Sequence, residues 1–276
     1  MNNYQEKLFP YAYNILGTVD NAKDIVQEVI YKHIAHNNKE VKNETGYLVK
    51  SVINAAINLK KRNQKIRNTG MWLPEPIATE TSDNGIDSKE IISYSMLVLL
   101  EKLSAKERAV FILKNGFDYS HKEISEVIDS TVENSRKLLS RAKAKIVEHK
   151  PRVNKTPLQN ILPIENYIQV IKNGDATALE KLLSKDILLA ADGGKNIKVV
   201  RELTTGITAT SKLLIYVYRA FLTGLKFKFS SVNHQPAVLF YQKDSLYNCQ
   251  VLELEKMKIK SIYSIVDPKK LKSLCV

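Results

Sequence analysis

Between Leu103 and Lys145 the chain has little choice but to form short helices. Three Ser-x-x-Glu patterns follow one another: Ser104 with Glu107, Ser120 with Glu123, and Ser130 with Glu133. In each, the serine oxygen can accept from a free N–H of the first helical turn, and the glutamate can reach back to the cap's own N–H. The second and third lie so close that only about two turns of helix fit between them. A short helix, a tight turn through Ile128-Asp129-Ser130 and a longer basic helix make a helix-turn-helix pattern. The last helix divides by face, with Val132, Leu139, Ala142 and Ile146 on one side. Asn134, Arg136, Lys137, Ser140, Arg141 and Lys145 fall elsewhere and suit phosphates or base edges. Basic residues also suit any helix C-terminus, so the pattern alone fits DNA binding and a plain helical bundle.

The 276 residues are enough for two or three small domains. The net charge of +13 favours a polyanionic partner or an anionic membrane surface. No apolar run approaches the roughly 18 residues of a spanning helix. The N-terminus, MNNYQEKLFPYAYN, has no basic or apolar region of a secretory signal. A cytosolic protein without membrane partners is therefore expected. Cys249 and Cys275 have neither metal-ligand spacing nor the makings of a disulfide framework, so no metal and no cofactor is expected.

Residues 1–68 read as helices. Leu8, Ala12, Ile15 and Leu16 form one apolar stripe. Ala22, Ile25, Val26, Val29, Ile30 and Ile34 form a second, in a helix that Asp20 can cap. Leu48, Val52, Ala55, Ala56 and Leu59 form a third. That third helix ends in the basic cluster Lys60, Lys61, Arg62, Lys65 and Arg67, and its polar face carries Asn54 and Asn58. Residues 69–90 lack periodicity and contain Gly70, Pro74, Pro76 and Gly85, which predicts a linker. Trp72, the only tryptophan, sits in this polar stretch and is expected to dock on something. Residues 91–150 form the second helical domain. After a connector, residues 158–276 begin with two helices, the second capped by Asp175. Strand-like runs follow at 187–191, 226–233, 237–242, 247–254 and 258–266, with a helix over about 208–222. Helices followed by strands, expected to pair antiparallel, predict an α+β domain with a sheet wrapped over helices.

Several strings resemble the extracytoplasmic-function group of bacterial sigma factors. Val19-Asp20-Asn21-Ala22-Lys23-Asp24-Ile25-Val26-Gln27-Glu28-Val29 resembles the region 2 helix that meets the polymerase clamp. Gly46-Tyr47-Leu48 through Asn54-Ala55-Ala56-Ile57-Asn58 to Lys61-Arg62 resembles the helix for the −10 promoter element. Leu103-Ser104-Ala105-Lys106-Glu107-Arg108 and Leu139-Ser140-Arg141-Ala142 resemble region 4, which recognises the −35 element. Trp72-Leu73-Pro74-Glu75-Pro76 resembles the linker signature of members that carry a fused SnoaL-like, NTF2-like domain. Asp192-Gly193-Gly194-Lys195 and Asp267-Pro268-Lys269-Lys270-Leu271 resemble two short motifs of that extension. The sequence departs from the pattern in places: Asn58 stands where many members have Asp, Asp129 where Gly is common, and Ser135 where an apolar residue often turns inward.

The resemblance implies a multi-domain chain of two all-α domains, region 2 and a helix-turn-helix region 4, followed by an α+β NTF2-like cone. It implies core RNA polymerase and promoter DNA, duplex and melted, as partners, with no separate anti-sigma factor required. It implies binding rather than catalysis. Asn134, Arg136, Lys137, Ser140 and Arg141 are then expected at the −35 element, and Asn54, Asn58, Lys60, Lys61 and Arg62 at the −10 element. Asp24, Gln27 and Glu28 are expected against polymerase. Trp72, Leu73, Pro74, Glu75 and Pro76 are expected to seat near Asp192, Gly193, Gly194 or Asp267. Two other readings stand beside this one. A helix-turn-helix regulator with a ligand-sensing C-terminal domain shares the 103–146 pattern. A SnoaL-like enzyme would use groups such as Asp192, His234 and Tyr241, which lack acid/base pairing in the sequence.

Overall fold

A computed structural model describes residues 4–35, 43–66, 72–79, 88–146, 162–200 and 202–274. The basic residue Arg67 and much of the 69–90 linker lie outside these. The described residues fall into two compact units, one from segments 1–68, 81–92 and 96–152, the other from 69–80, 93–95 and 153–276.

The first unit is helical. Its helices are α1 (Tyr4–Leu16), α2 (Val19–Ala35), α3 (Glu44–Ile66), α4 (Tyr94–Leu99), α5 (Ala105–Asn115), α6 (His121–Val127) and α7 (Val132–Ile146), with the first residues of α4 belonging to the second unit. The 3.6-residue spacing seen in the sequence becomes burial. Leu8, Phe9, Ala12 and Leu16 of α1 meet Ala22 and Val26 of α2 and Leu48, Val52 and Ala56 of α3 in one core. Ile34 departs from the expected stripe: it is 71% exposed at the end of α2.

Two of the three capping boxes form. Ser104 and Ser120 accept from the N–H groups of Glu107 and Glu123, whose carboxylates accept in return from the serine N–H groups. The third does not. Helix α7 starts one residue later, and Thr131 Oγ1 accepts from Asn134 N at 3.1 Å. Ser130 instead accepts from the Asn134 side chain at 2.7 Å, and Glu133 pairs with Lys137. The turn before α7 puts Asp129 in the left-handed region, φ 48°.

The second unit is α+β. Helices α8 (Leu162–Asn173), α9 (Ala176–Leu182) and α10 (Ile207–Val217) pack on one face of a six-stranded sheet. Its strands are β1 (Leu183–Asp192), β2 (Thr204–Thr205), β3 (Lys226–Val232), β4 (Gln235–Gln242), β5 (Ser245–Glu255) and β6 (Lys258–Ile265), in the order β2-β1-β6-β5-β4-β3. Asp175 caps α9 through Ala178 N at 2.9 Å. Strands β3 to β6 form an antiparallel meander, but β1 pairs with β6 in parallel, so the sheet is mixed rather than wholly antiparallel. Period-2 alternation fixes which face a residue takes, not strand direction. The connection from β1 to β6, through β2, α10 and the first three strands of the meander, is long enough for the parallel pairing. The β3–β4 turn uses Asn233 and His234, φ 46° and 60°, and the β5–β6 turn uses Lys256 and Met257, φ 50° and 66°. These are left-handed pairs that match strand twist without glycine. A short helix, α11 (Pro268–Leu271), follows β6. Among the described residues no helix is long and apolar enough to cross a membrane.

Candidate nucleic-acid interface and linker seat

Helix α7 is amphipathic in the way a groove-reading helix must be. Ser135, Leu138, Leu139, Ala142 and Ile146 are buried, while Arg136, Lys137, Ser140 and Arg141 are exposed. Those four occupy positions i, i+1, i+4 and i+5 and so share one face. Lys143, which the sequence pattern does not single out, is exposed a turn further on and joins this set. Asn134 is half-buried and donates to Ser130. Lys145 is spent elsewhere: its ammonium lies 2.7 Å from Glu107. Burial pushes the Glu107 carboxyl up, but hydrogen bonds from Lys145 and Ser104 outweigh it and hold the group below the usual range. Ser135 is fully buried, and its hydroxyl meets His121 Nδ1 at 2.8 Å. Desolvation, then the charges of Arg136, Lys114 and Lys143, pull His121 below the ordinary histidine value.

Helix α3 presents Asn58, Lys61, Arg62 and Lys65 on one exposed stripe. Lys60 faces the opposite way. It is 1% exposed, donates to Leu16 O at 3.1 Å and pairs with Glu101 at 2.7 Å. The expected phosphate contact by Lys60 is therefore corrected: a residue one step along a helix turns by about 100°, and this one turns into the core. Glu101 also pairs with Arg108, which is buried and donates through Nε to Asn14 O at 2.9 Å. Nothing in the sequence pattern marks this network, because Asn14 and Lys60 lie far along the chain from Glu101 and Arg108. Asn54 is half-buried, and its amide donates to Lys50 O at 3.0 Å and Val127 O at 2.7 Å. Lys50 pairs with Asp129 at 2.6 Å, and Gln64 donates to Leu103 O. So α3 packs against the 101–129 region within the helical unit.

On α2, Asp24, Gln27 and Glu28 are all exposed. Tyr31 and Ile34, 73% and 71% exposed, continue the same i, i+3, i+4, i+7 stripe. Helical periodicity predicts Ile34 on the core stripe; the structure leaves it, with Tyr31, on the surface.

The described part of the linker, residues 72–79, is built into the second unit. Leu73 is fully buried, and its N–H donates to Asp192 Oδ2 at 2.7 Å. Lys270 Nζ lies 2.5 Å from Leu73 O, 2.6 Å from Asp192 Oδ2 and 4.3 Å from the centre of the Trp72 ring. Burial pulls the Lys270 ammonium below the usual lysine range, against the opposing pull of Asp192, Asp267 and Glu75. The Asp192 carbonyl accepts from Val266 N and Asp267 N, and its Oδ1 accepts from Gly194 N at 2.8 Å. Asp267 caps α11 through Lys269 N. The two glycines are required by space. A Cβ on Gly193 would strike the Ile197 carbonyl, and one on Gly194, at φ 63°, would strike the Asp267 carboxylate. Further along, the Pro74 carbonyl accepts from Tyr94 OH at 2.6 Å, and the Pro76 carbonyl from Ser273 Oγ at 2.7 Å. Glu75 is half-buried. Ile77 and Thr79 exchange hydrogen bonds with Asn233 and Ser231, so the segment pairs with the end of β3. Asp192 is thus committed to the linker, and the His234 backbone to the hairpin turn, where its N–H donates to Thr79 Oγ1.

Comparison with known proteins places this geometry. The family model described as Sigma-70, region 4 matches residues 94–146. The Mycobacterium tuberculosis protein named "Probable ECF RNA polymerase sigma factor SigI" is 24% identical over 273 residues, 97% of this chain and 92% of that protein. ECF RNA polymerase sigma factor SigJ of M. tuberculosis is 28% identical over 208 residues, 71% of this chain and 65% of that protein. The crystal structure of M. tuberculosis extracytoplasmic function sigma factor SigJ shares the fold, with a TM-score of 0.80 at 20% identity over 98% of this chain and 96% of that one.

Proposed function

We propose that the chain is an extracytoplasmic-function sigma factor whose surfaces divide the work of promoter recognition with core RNA polymerase. The observation that carries the reading is the split of α7: one face is core, and the other offers Arg136, Lys137, Ser140 and Arg141 to a partner. That helix reads the −35 element in the major groove, the cations holding phosphates or guanine edges and Asn134 and Ser140 working at close range. The exposed stripe Asn58, Lys61 and Arg62 of α3 faces the −10 element as it opens. The cations hold the backbone there, and the amide meets an unstacked base. Asn54 joins once α3 parts from the Val127 carbonyl that now holds it. Asp24, Gln27 and Glu28, extended by Tyr31 and Ile34, form the polymerase contact. The chain acts by binding and not by turnover.

Regulation is assigned to the chain's own C-terminal domain rather than to a separate anti-sigma protein. The support is the seat of Trp72 to Pro76 on Asp192 and Lys270. A domain that grips the segment joining two DNA-binding parts can restrain or release them. Run-off transcription with core polymerase tests both halves. Arg136→Ala and Arg141→Ala are expected to weaken upstream-element binding and leave binding to free polymerase unchanged; an equal fall in both counts against the division. Trp72→Ala is expected to alter transcript yield without changing isolated promoter contacts. An unchanged yield counts against the linker's role.

A further inference from the structure

The second unit holds a cavity of about 350 Å³ between α10, residues 197–200 and 202–204, and the face of β5 and β6 that the helices cover. This lies at the low end of the roughly 300–1,000 Å³ of small-molecule sites. Its walls are apolar, with Leu189, Leu214 and Leu222 among them. On the sheet side the pattern breaks. Leu252 of β5 joins the hydrophobic core, but the positions two and four residues before it on the same face are Gln250 and Asn248, both 2% exposed. Gln250 Oε1 accepts from Tyr167 OH at 3.0 Å, and Asn248 Nδ2 donates to Ser264 Oγ at 2.9 Å. Asn248 Oδ1 is buried and has no partner among the described residues. An unpaired buried acceptor weakens the folded state and asks for an explanation.

The cavity's chemistry narrows the occupant. Its charged lining residues among those described, Lys198 and Glu202, are both exposed, so the interior is uncharged. Val200, Tyr216 and Phe221 line it too and stay 45%, 61% and 52% exposed, an apolar mouth open to solvent. We propose that this cavity binds one small, neutral, largely apolar molecule that presents a hydrogen-bond donor to Asn248. The site is independent of the promoter surfaces and does not rest on their assignment. Its wall runs directly into the linker seat: Ala191 and Val266 line the cavity, and Asp192 and Asp267 follow them.

The test uses the full chain and the fluorescent probe 1-aminoanthracene, an apolar ring system with an N–H donor. The expected result is saturable binding at one site, lost in Val217→Trp, which fills the cavity. Decan-2-ol, a donor, should displace the probe about tenfold more effectively than decan-2-one, which cannot donate. In Asn248→Leu that preference should shrink to within about twofold. The proposal is overturned by non-saturable binding, by full binding to a folded Val217→Trp, or by an alcohol and ketone of equal potency on the unaltered protein. The last comparison needs no variant, so it decides the matter even if Asn248→Leu does not fold.

Discussion

Lys60 and Arg108 are both buried, and both direct their charge at Glu101. Removing that carboxylate leaves two cations in the core of the helical unit, where an uncompensated charge costs about 3–5 kcal/mol. Glu101→Ala is therefore expected to lower the free energy of unfolding in urea by at least about 3 kcal/mol, whereas the exposed Lys61→Ala should stay within about 0.5 kcal/mol. His121 gives a pH-dependent counterpart. Its folded form binds a proton less readily than the unfolded chain, whose histidines titrate near about 6.5. As the pH falls through that value the unfolded state gains protons first, so stability is present above the window and declines below it. Melting temperature measured from pH 7.5 to 5.5 should drop more steeply for the unaltered protein than for His121→Asn.

Among the elements, α7 shows how a correct pattern can be read one residue out of place. Ser130 and Glu133 have the right spacing for a box, but Thr131 is the residue whose oxygen reaches the backbone. Asp129, left-handed just before it, sets where the helix begins. Thr131→Ala should then cost about 1 kcal/mol, as loss of a cap does, and Glu133→Ala, which loses only an exposed pair with Lys137, less than half of that. The linker seat is the other element whose strength can be measured. Leu73 is fully buried, so Leu73→Ala should destabilise the C-terminal unit by about 2–5 kcal/mol in a denaturant titration. The sequence announced this segment through a tryptophan and two prolines in a polar stretch. It did not announce Asn233, Gln235 or Ser273, which bind its backbone or that of Ser95, because single polar residues at turns and element ends carry no periodic signal.

For the molecule as a whole, net charge +13 and two exposed cationic stripes would make the proposed promoter binding a matter of counterion release. Each of Arg136→Ala and Arg141→Ala is expected to reduce the salt slope of promoter affinity, read by anisotropy of the polymerase complex, by about one. The sequence by itself determined the helices, the meander and their faces. Those follow from repeats of 3.6 and 2 residues, and a repeat is a local property: Leu48, Val52 and Ala56 must share a side wherever the chain goes. It also carried the motifs that pointed to the family. The tertiary structure decided which charges are free and which are spent. Lys60 and Lys61 are neighbours of the same type, yet one pairs with a carboxylate 41 positions away and the other meets water. It decided the direction of β1, the place of Trp72 and Leu73 against Asp192 and Lys270, and the cavity beside Asn248. Each of these depends on groups brought together from distant parts of the chain, and pairings of that kind leave no mark in the spacing of neighbours.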